Sequence, residues 1–208
     1  MGYQLLTAPT VDPLSITEVK LHLRVDFADD DVLIGLLITA VRQYCEHLTA
    51  RSLCTQKWAL VMDCFPGSLG YASNWGQPNS LPGNAVLLEK GPVQSIDSIT
   101  YIDMASATQT MASSDYVADM SGQLTRITPR FGKIWPIALP QIASATINFT
   151  AGYGVAAAVP EGLKSWMKLR IGTLYENREE VISGRSVSIV ALPFVDRLLD
   201  AYTIRNGA

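Results

Sequence analysis

Charge is scarce in this chain of 208 residues. Asp, Glu, Lys and Arg make up 17% of it and hydrophobic residues 48%, whereas ordinary soluble domains carry about 25% charge. A chain this apolar and of this length can bury a real core and does not stay disordered. It also lacks a long hydrophobic run. The longest, Val32 to Val41, has ten residues and includes Gly35 and Thr39, about half of the roughly 20 that a spanning helix needs. The positive mean hydropathy of +0.18 therefore does not signal a membrane span. The N-terminus Met1-Gly2-Tyr3-Gln4-Leu5-Leu6 has no basic segment followed by an apolar one, and Leu6 stands where a myristoylation signal needs Ser or Thr. The expectation is a soluble protein that stays where it is made.

Reactive and metal-binding side chains are equally sparse. The three cysteines, Cys45, Cys54 and Cys64, are an odd number without an export signal, which excludes a disulfide framework and suggests small buried residues. Cys45 and His47 lie two apart on a predicted helix, roughly 200° around its axis, and cannot grip one ion. No metal and no cofactor is expected. Neither His22 nor His47 sits on a glycine-hinged turn of the kind that exposes a nucleophile. Ala151-Gly152-Tyr153-Gly154 lacks the Gly-Lys-Ser/Thr ending of a phosphate loop and reads as a flexible exit from a strand. Asn148-Phe149-Thr150 matches the glycosylation sequon, but without export it is never presented for modification. No catalytic residue is expected; a small hydrolase using Cys45 or Cys64 with a His is the competing class. The formal charge of −3 and a pI near 5.3 argue against a sequence-reading DNA binder.

What is present is apolar residues in regular spacing. Ser15-Ile16-Thr17-Glu18 is a capping box that opens a short helix to about Arg24. Asp29, Asp30 and Asp31 then suit the positive end of a second helix, running to about Ala50. Its main stripe is Leu33, Leu36, Leu37, Ala40, Val41, Tyr44 and Leu48, widened by Ile34, Ile38 and Cys45. A helix apolar on so many sides is either central in its own domain or has one side on a neighbouring subunit. From Gln56 the period becomes two. Trp58, Leu60, Met62 and Cys64 alternate with less apolar neighbours, and Val86 to Leu88, Val93 to Tyr101, Tyr116 to Ala118, Gln123 to Ile127 and Ala145 to Phe149 are further strands. Asp119 to Gly122 reads as a hairpin tip, and the strands together as a small antiparallel sheet.

Pro66 to Gly83 has no periodicity, and its Tyr71 and Trp75 suggest an arm that orders on a neighbouring chain. Helical spacing returns after Pro160 with Leu163, Trp166, Met167, Ile171, Leu174 and Tyr175. A last short helix opens at Pro193 and stacks Val195, Leu198, Leu199 and Tyr202, docking on the helix before it. Thr203 to Ala208 follows as a polar tail with no periodic apolar face, where Arg205 offers a fork of donors to a carboxylate. The fold class expected is α+β: N-terminal and C-terminal helices packed as a helical core, with a central antiparallel β-rich insertion. The layout is one domain, 1–208, with parts 1–54, 55–159 and 160–208.

Three segments carry a resemblance. They are Leu14-Ser15-Ile16-Thr17-Glu18-Val19-Lys20-Leu21-His22-Leu23-Arg24-Val25-Asp26 with Asp29-Asp30-Asp31 and the apolar helix; Gly91-Pro92-Val93-Gln94-Ser95-Ile96 leading to Ile99-Thr100-Tyr101; and Leu174-Tyr175-Glu176-Asn177-Arg178-Glu179 with Leu192-Pro193 and the final helix. Together they resemble the head-tail connector (adaptor) family of tailed bacteriophages, in a longer branch with a β-rich insertion. The loop from Pro66 to Gly83 departs from that pattern. The resemblance implies a structural virion protein with no catalytic residues, made in the host cytoplasm and placed in the virion neck. It implies a homo-oligomeric ring, generally of twelve subunits, under the portal protein, which extends the DNA channel and docks the stopper or tail protein. DNA would pass through without sequence-specific binding. Another neck or tail-completion protein is the alternative. Tyr71, Trp75, Arg178 and Arg205 are the candidate interface residues.

Overall fold

The computed structural model describes residues 2–67, 84–177 and 193–204. Its elements follow in the order β1 (Gly2–Thr7), α1 (Ile16–Leu23), α2 (Asp31–Thr49), β2 (Gln56–Met62), β3 (Val86–Leu88), β4 (Val93–Ile102), β5 (Thr108–Thr110), β6 (Tyr116–Asp119), β7 (Thr125–Pro129) and β8 (Ala145–Ala151). A 3-10 turn (Ala156–Ala158), α3 (Glu161–Glu176) and α4 (Pro193–Arg197) complete them. The fold is α+β, and it divides into two compact units.

The first unit takes residues 1–10, 55–153 and 204–208. Instead of the single sheet read from the sequence, it holds two antiparallel sheets, β1-β2-β8-β4-β5 and β3-β7-β6. Side chains two apart on a strand share a face, and here they fill one core. Leu60 lies opposite Ile147, which on its other side faces Ile99. All three are fully buried together with Phe65 and Phe149, and Val86, Leu88 and Ile127 of the smaller sheet join the same cluster. The hairpin tip at Asp119 is real: Asp119 accepts from the backbone and hydroxyl of Ser121 and pairs with Arg126 on β7.

Two strands were not legible in the sequence. The short strand β5 is wholly exposed and therefore carries no alternation to read. The strand β1 pairs with β2, so residues 2–7 build the sheet although the helical part had been expected to begin at residue 1. Tyr3 fixes β1: its hydroxyl accepts from the N–H of Glu89 at 2.8 Å, and its ring meets Phe149 edge-on at 6.4 Å. Burial also pushes the Tyr3 hydroxyl well above its ordinary pKa, so it stays a neutral hydrogen-bonding group.

The second unit takes residues 11–54 and 154–203, the N-terminal and C-terminal helices together. The capping box forms as the sequence requires. The Ser15 hydroxyl accepts from the Glu18 N–H at 3.2 Å, and Glu18 accepts from the Ser15 N–H at 2.8 Å. Helices α1 and α2 both pack on α3, burying Val19, Ile34, Ile38, Leu163, Trp166, Met167 and Ile171. Two polar ties lock the arrangement. Tyr175 of α3 donates to Asp30 at the start of α2, and the guanidinium of Arg42 bridges Asp12 at 2.7 Å and Glu46 at 2.9 Å.

The end of the described chain docks on α3 through Asp196, which accepts from Trp166 Nε1 at 3.1 Å and from Arg170 at 2.6 Å. The tail was expected to carry no apolar anchor from residue 203 onward. Ile204 is instead buried, an isolated apolar residue that no periodic test detects.

Candidate docking surfaces

The face of α2 that meets its own unit takes in Ile34, Ile38 and Cys45, the set read as widening the stripe, together with Val41 of the main stripe. Ile34, Ile38, Val41 and Cys45 are buried, and Arg42 and Thr49 lie among them. Of the expected main stripe, Leu36 (66%), Ala40, Tyr44 and Leu48 are exposed, Leu33 and Leu37 are half-buried and Val41 is buried, and Val32, outside that stripe, is 78% exposed on the same side as Leu36. The exposed residues run 32, 36, 40, 44, 48, an i, i+4 ridge of the sort that one helix presses into the groove of another. Tyr44 meets the Trp166 ring at a centroid distance of 5.9 Å while half of it stays outside. Beside this helix lies an open groove of about 460 Å³ with a mixed lining, apolar at Val11, Leu14 and Ile38 and polar at Asp12, Ser15 and Glu18.

The sheet unit has its own outward apolar segment, which the sequence reading missed. Between β7 and β8 the chain runs Arg130-Phe131-Gly132-Lys133-Ile134-Trp135-Pro136-Ile137-Ala138-Leu139-Pro140-Gln141-Ile142. Trp135 points inward. It is buried, stacks parallel on Phe65 at 4.7 Å and donates from Nε1 to the Asn84 carbonyl at 2.6 Å. Leu139 donates to the Ile102 carbonyl at 2.8 Å, Ala143 to the Asp63 carboxylate at 2.9 Å, and Lys133 pairs with Asp115 at 3.2 Å. On this pinned backbone Phe131, Ile134, Ile137 and Ile142 face outward, Ile134 at 81% and Ile142 at 86%. A loop fixed by so many contacts yet showing four large apolar side chains resembles a prepared contact surface more than a solvated connection. Its sequence signal was an aperiodic apolar run broken by Pro136 and Pro140.

Of the cysteines in the competing reading, Cys45 is buried and Cys64 half-buried. Burial pushes the Cys45 thiol up to about 12 and the Cys54 thiol up to about 11, the reverse of the depressed value that makes a thiolate nucleophile. His47 is exposed although Cys45, two residues before it, is buried. Among the described residues no group of three or more His, Cys, Asp or Glu side chains could hold a metal ion, and no helix is long and apolar enough to cross a membrane. Tyr71, Trp75, Arg178 and Arg205 lie outside the described residues.

A helix and a pinned loop thus each carry large apolar side chains on the outside. Residues 13–129 match the phage gp6-like head-tail connector protein family, and the chain belongs to that family. No curated protein matches it. Among solved structures, a chain in the virion of a native gene transfer agent (GTA) particle is similar at TM-score 0.74 and 24% identity, over 99% of this chain and 97% of that one. A chain from the neck of an empty GTA particle computed with C6 symmetry gives TM-score 0.69 and 25% identity over 99% and 97% of the two chains. One from the neck of a native GTA particle computed with C12 symmetry gives 0.62 and 23% with the same coverage.

Proposed function

We propose that the chain is a structural subunit of the virion neck, made in the host cytoplasm and assembled into a ring under the portal protein, where it extends the DNA channel and docks the stopper or tail. Family membership over residues 13–129 carries this reading. The near-complete coverage of chains from neck structures computed with cyclic symmetry supports it, and from them we carry over a ring, with twelve subunits as the expected number. The outward apolar ridge on α2 and the loop from Phe131 to Ile142 give such a ring surfaces to bury. The net charge of −3 suits a channel in which DNA slides, because a clustered excess of Lys and Arg would hold its phosphates. Tyr71, Trp75, Arg178 and Arg205 are proposed contact residues of the same assembly. No catalytic role is proposed.

Binding to the purified portal protein of the same particle tests the reading, with electron microscopy of the complex to count subunits. A ring of twelve on the portal is the expected result. A chain that binds a tail component and ignores the portal is a different neck protein, and one that binds neither overturns the proposal.

A further inference from the structure

The five-stranded sheet ends in two edges, β1 and β5, that carry neither charge nor proline, β5 being guarded only by its three-residue length and β1 only by one register shift. An edge strand shows a row of N–H and C=O groups, and proteins ordinarily blunt it with charges, proline or a covering element. The first charged residue of this chain is Asp12, so β1 has none, and five of its six residues are exposed, Leu5 and Leu6 among them. Its one irregularity is a register shift between Leu5 and Thr7. At the other edge β5 is Thr-Gln-Thr, exposed throughout, within a run from Met104 to Ser114 that has no charge either. Neither edge is loose. Tyr3 anchors β1 on Glu89, and Asp103 holds the turn before β5 by accepting from Ala105, Ala107 and Gln109. Among the described residues β1 pairs only with β2 and β5 only with β4.

The topology says which foreign strand fits. Every neighbouring pair in the sheet is antiparallel, so after four reversals β1 and β5 run in the same direction. A two-fold axis would set like edges together and close a dimer. A cyclic ring repeats one rotation and sets unlike edges side by side. We infer that in the assembled ring β5 of one copy pairs in parallel with β1 of the next, so that the sheet continues from subunit to subunit. The occupant of each bare edge is thus a second copy of this chain. Both edges are uncharged, so no like-charge repulsion opposes their approach, and closure of the ring removes both free edges of the five-stranded sheet as a barrel does. The inference rests on the ring proposed above.

Disulfide trapping tests it. Neighbouring strands bring Cα atoms within the roughly 4.4–6.8 Å that a disulfide spans. One population of chains carries cysteine at Gln4, Leu5 or Leu6 and the other at Thr108, Gln109 or Thr110, both with Cys64→Ser. Assembly of each mixture under mild oxidation, with the portal protein added if the chain stays monomeric alone, is followed by gel and by electron microscopy. At least one pairing should give covalent dimers at tenfold or more above either population alone. Rings that form in every mixture with no dimer in any pairing overturn the edge pairing and leave the ring intact. If no ring forms with or without portal, the ring reading fails and the edge pairing fails with it.

Discussion

The two units of this chain put apolar side chains outside in different ways. In the helical unit the outward residues sit on α2 at the same helical spacing as the buried ones, so one helix carries two apolar faces, Ile34–Ile38–Val41–Cys45 inward and Val32–Leu36–Tyr44–Leu48 outward. In the sheet unit the central strands stay orderly, with β8 alternating buried and half-buried along its length, and the most exposed apolar residues, Phe131, Ile134 and Ile142, sit in the connection between β7 and β8. The difference teaches that apolar surplus is not one signal. On a helix it is periodic and conspicuous but ambiguous in direction, and in a loop it is unambiguous in direction once the backbone is known but has no period to reveal it.

The sharpest break of that comparison is a pair of substitutions two residues apart. Ile38→Asp would put a carboxylate at a buried position and should cost several kcal/mol, about the whole margin of a small domain. Leu36→Asp places the same charge on the outward ridge and should leave thermal melting within about 0.5 kcal/mol of wild type while weakening assembly. Equal melting loss in the two variants would show that α2 has no outward face. In the sheet unit Trp135→Ala removes the stacking on Phe65 and the bond to Asn84, with an expected loss of about 3–5 kcal/mol. Phe131→Ser, four residues away, should leave the denaturant midpoint unchanged.

Legibility followed the same physics. The capping box, the ends of α2 near Asp31 and Ala50, the start of α3 after Pro160 and six of the strands were readable because each has a local cause: a hydroxyl acceptor at an N-cap, a missing N–H, a period of two. The side of α2 that faces inward was not readable. It is set by what lies against it, including Asp12, thirty residues before Arg42, and α3, more than a hundred residues later. The strand β1 hid for a similar reason, since its one inward anchor is Tyr3 and the partners of that hydroxyl are Leu87 and Glu89. Of the candidate contact surfaces, the helical ridge was visible as surplus apolar residues on a helix whose inward side the sequence left open, and the pinned loop was not visible at all.

A smaller effect should appear at the end of α2. Ala50 adopts φ +54 there, the left-handed conformation in which a helix commonly ends and in which a Cβ is strained. Ala50→Gly should therefore raise stability by roughly 1 kcal/mol, less whatever glycine adds to the entropy of the unfolded chain. A fall in melting temperature would mean that the Ala50 methyl makes contacts worth more than the strain.

The smallest expected effect concerns Asp196, which ties the last helix to α3. Trp166 first and Arg170 second donate to its carboxylate and hold it below the ordinary carboxyl range, and the Arg170 guanidinium also lies 5.4 Å from the centre of the Trp166 ring. The carboxylate is 65% exposed, so water screens the pair and Asp196→Ala should cost less than about 1 kcal/mol at pH 7. The sign of the pH dependence follows from the direction of the shift. A carboxyl whose pKa is lowered on folding contributes stability that is fully present above its unfolded value of about 3.9 and disappears as pH falls through the folded value beneath it. The difference in melting temperature between wild type and Asp196→Ala should therefore be constant from pH 7 to about pH 5 and shrink as the pH is lowered below about 4. A difference that persists undiminished at pH 2 would place the contribution of Asp196 in packing or in its neutral hydrogen bond to Trp166, and the docking of the C-terminal segment would then owe nothing to charge.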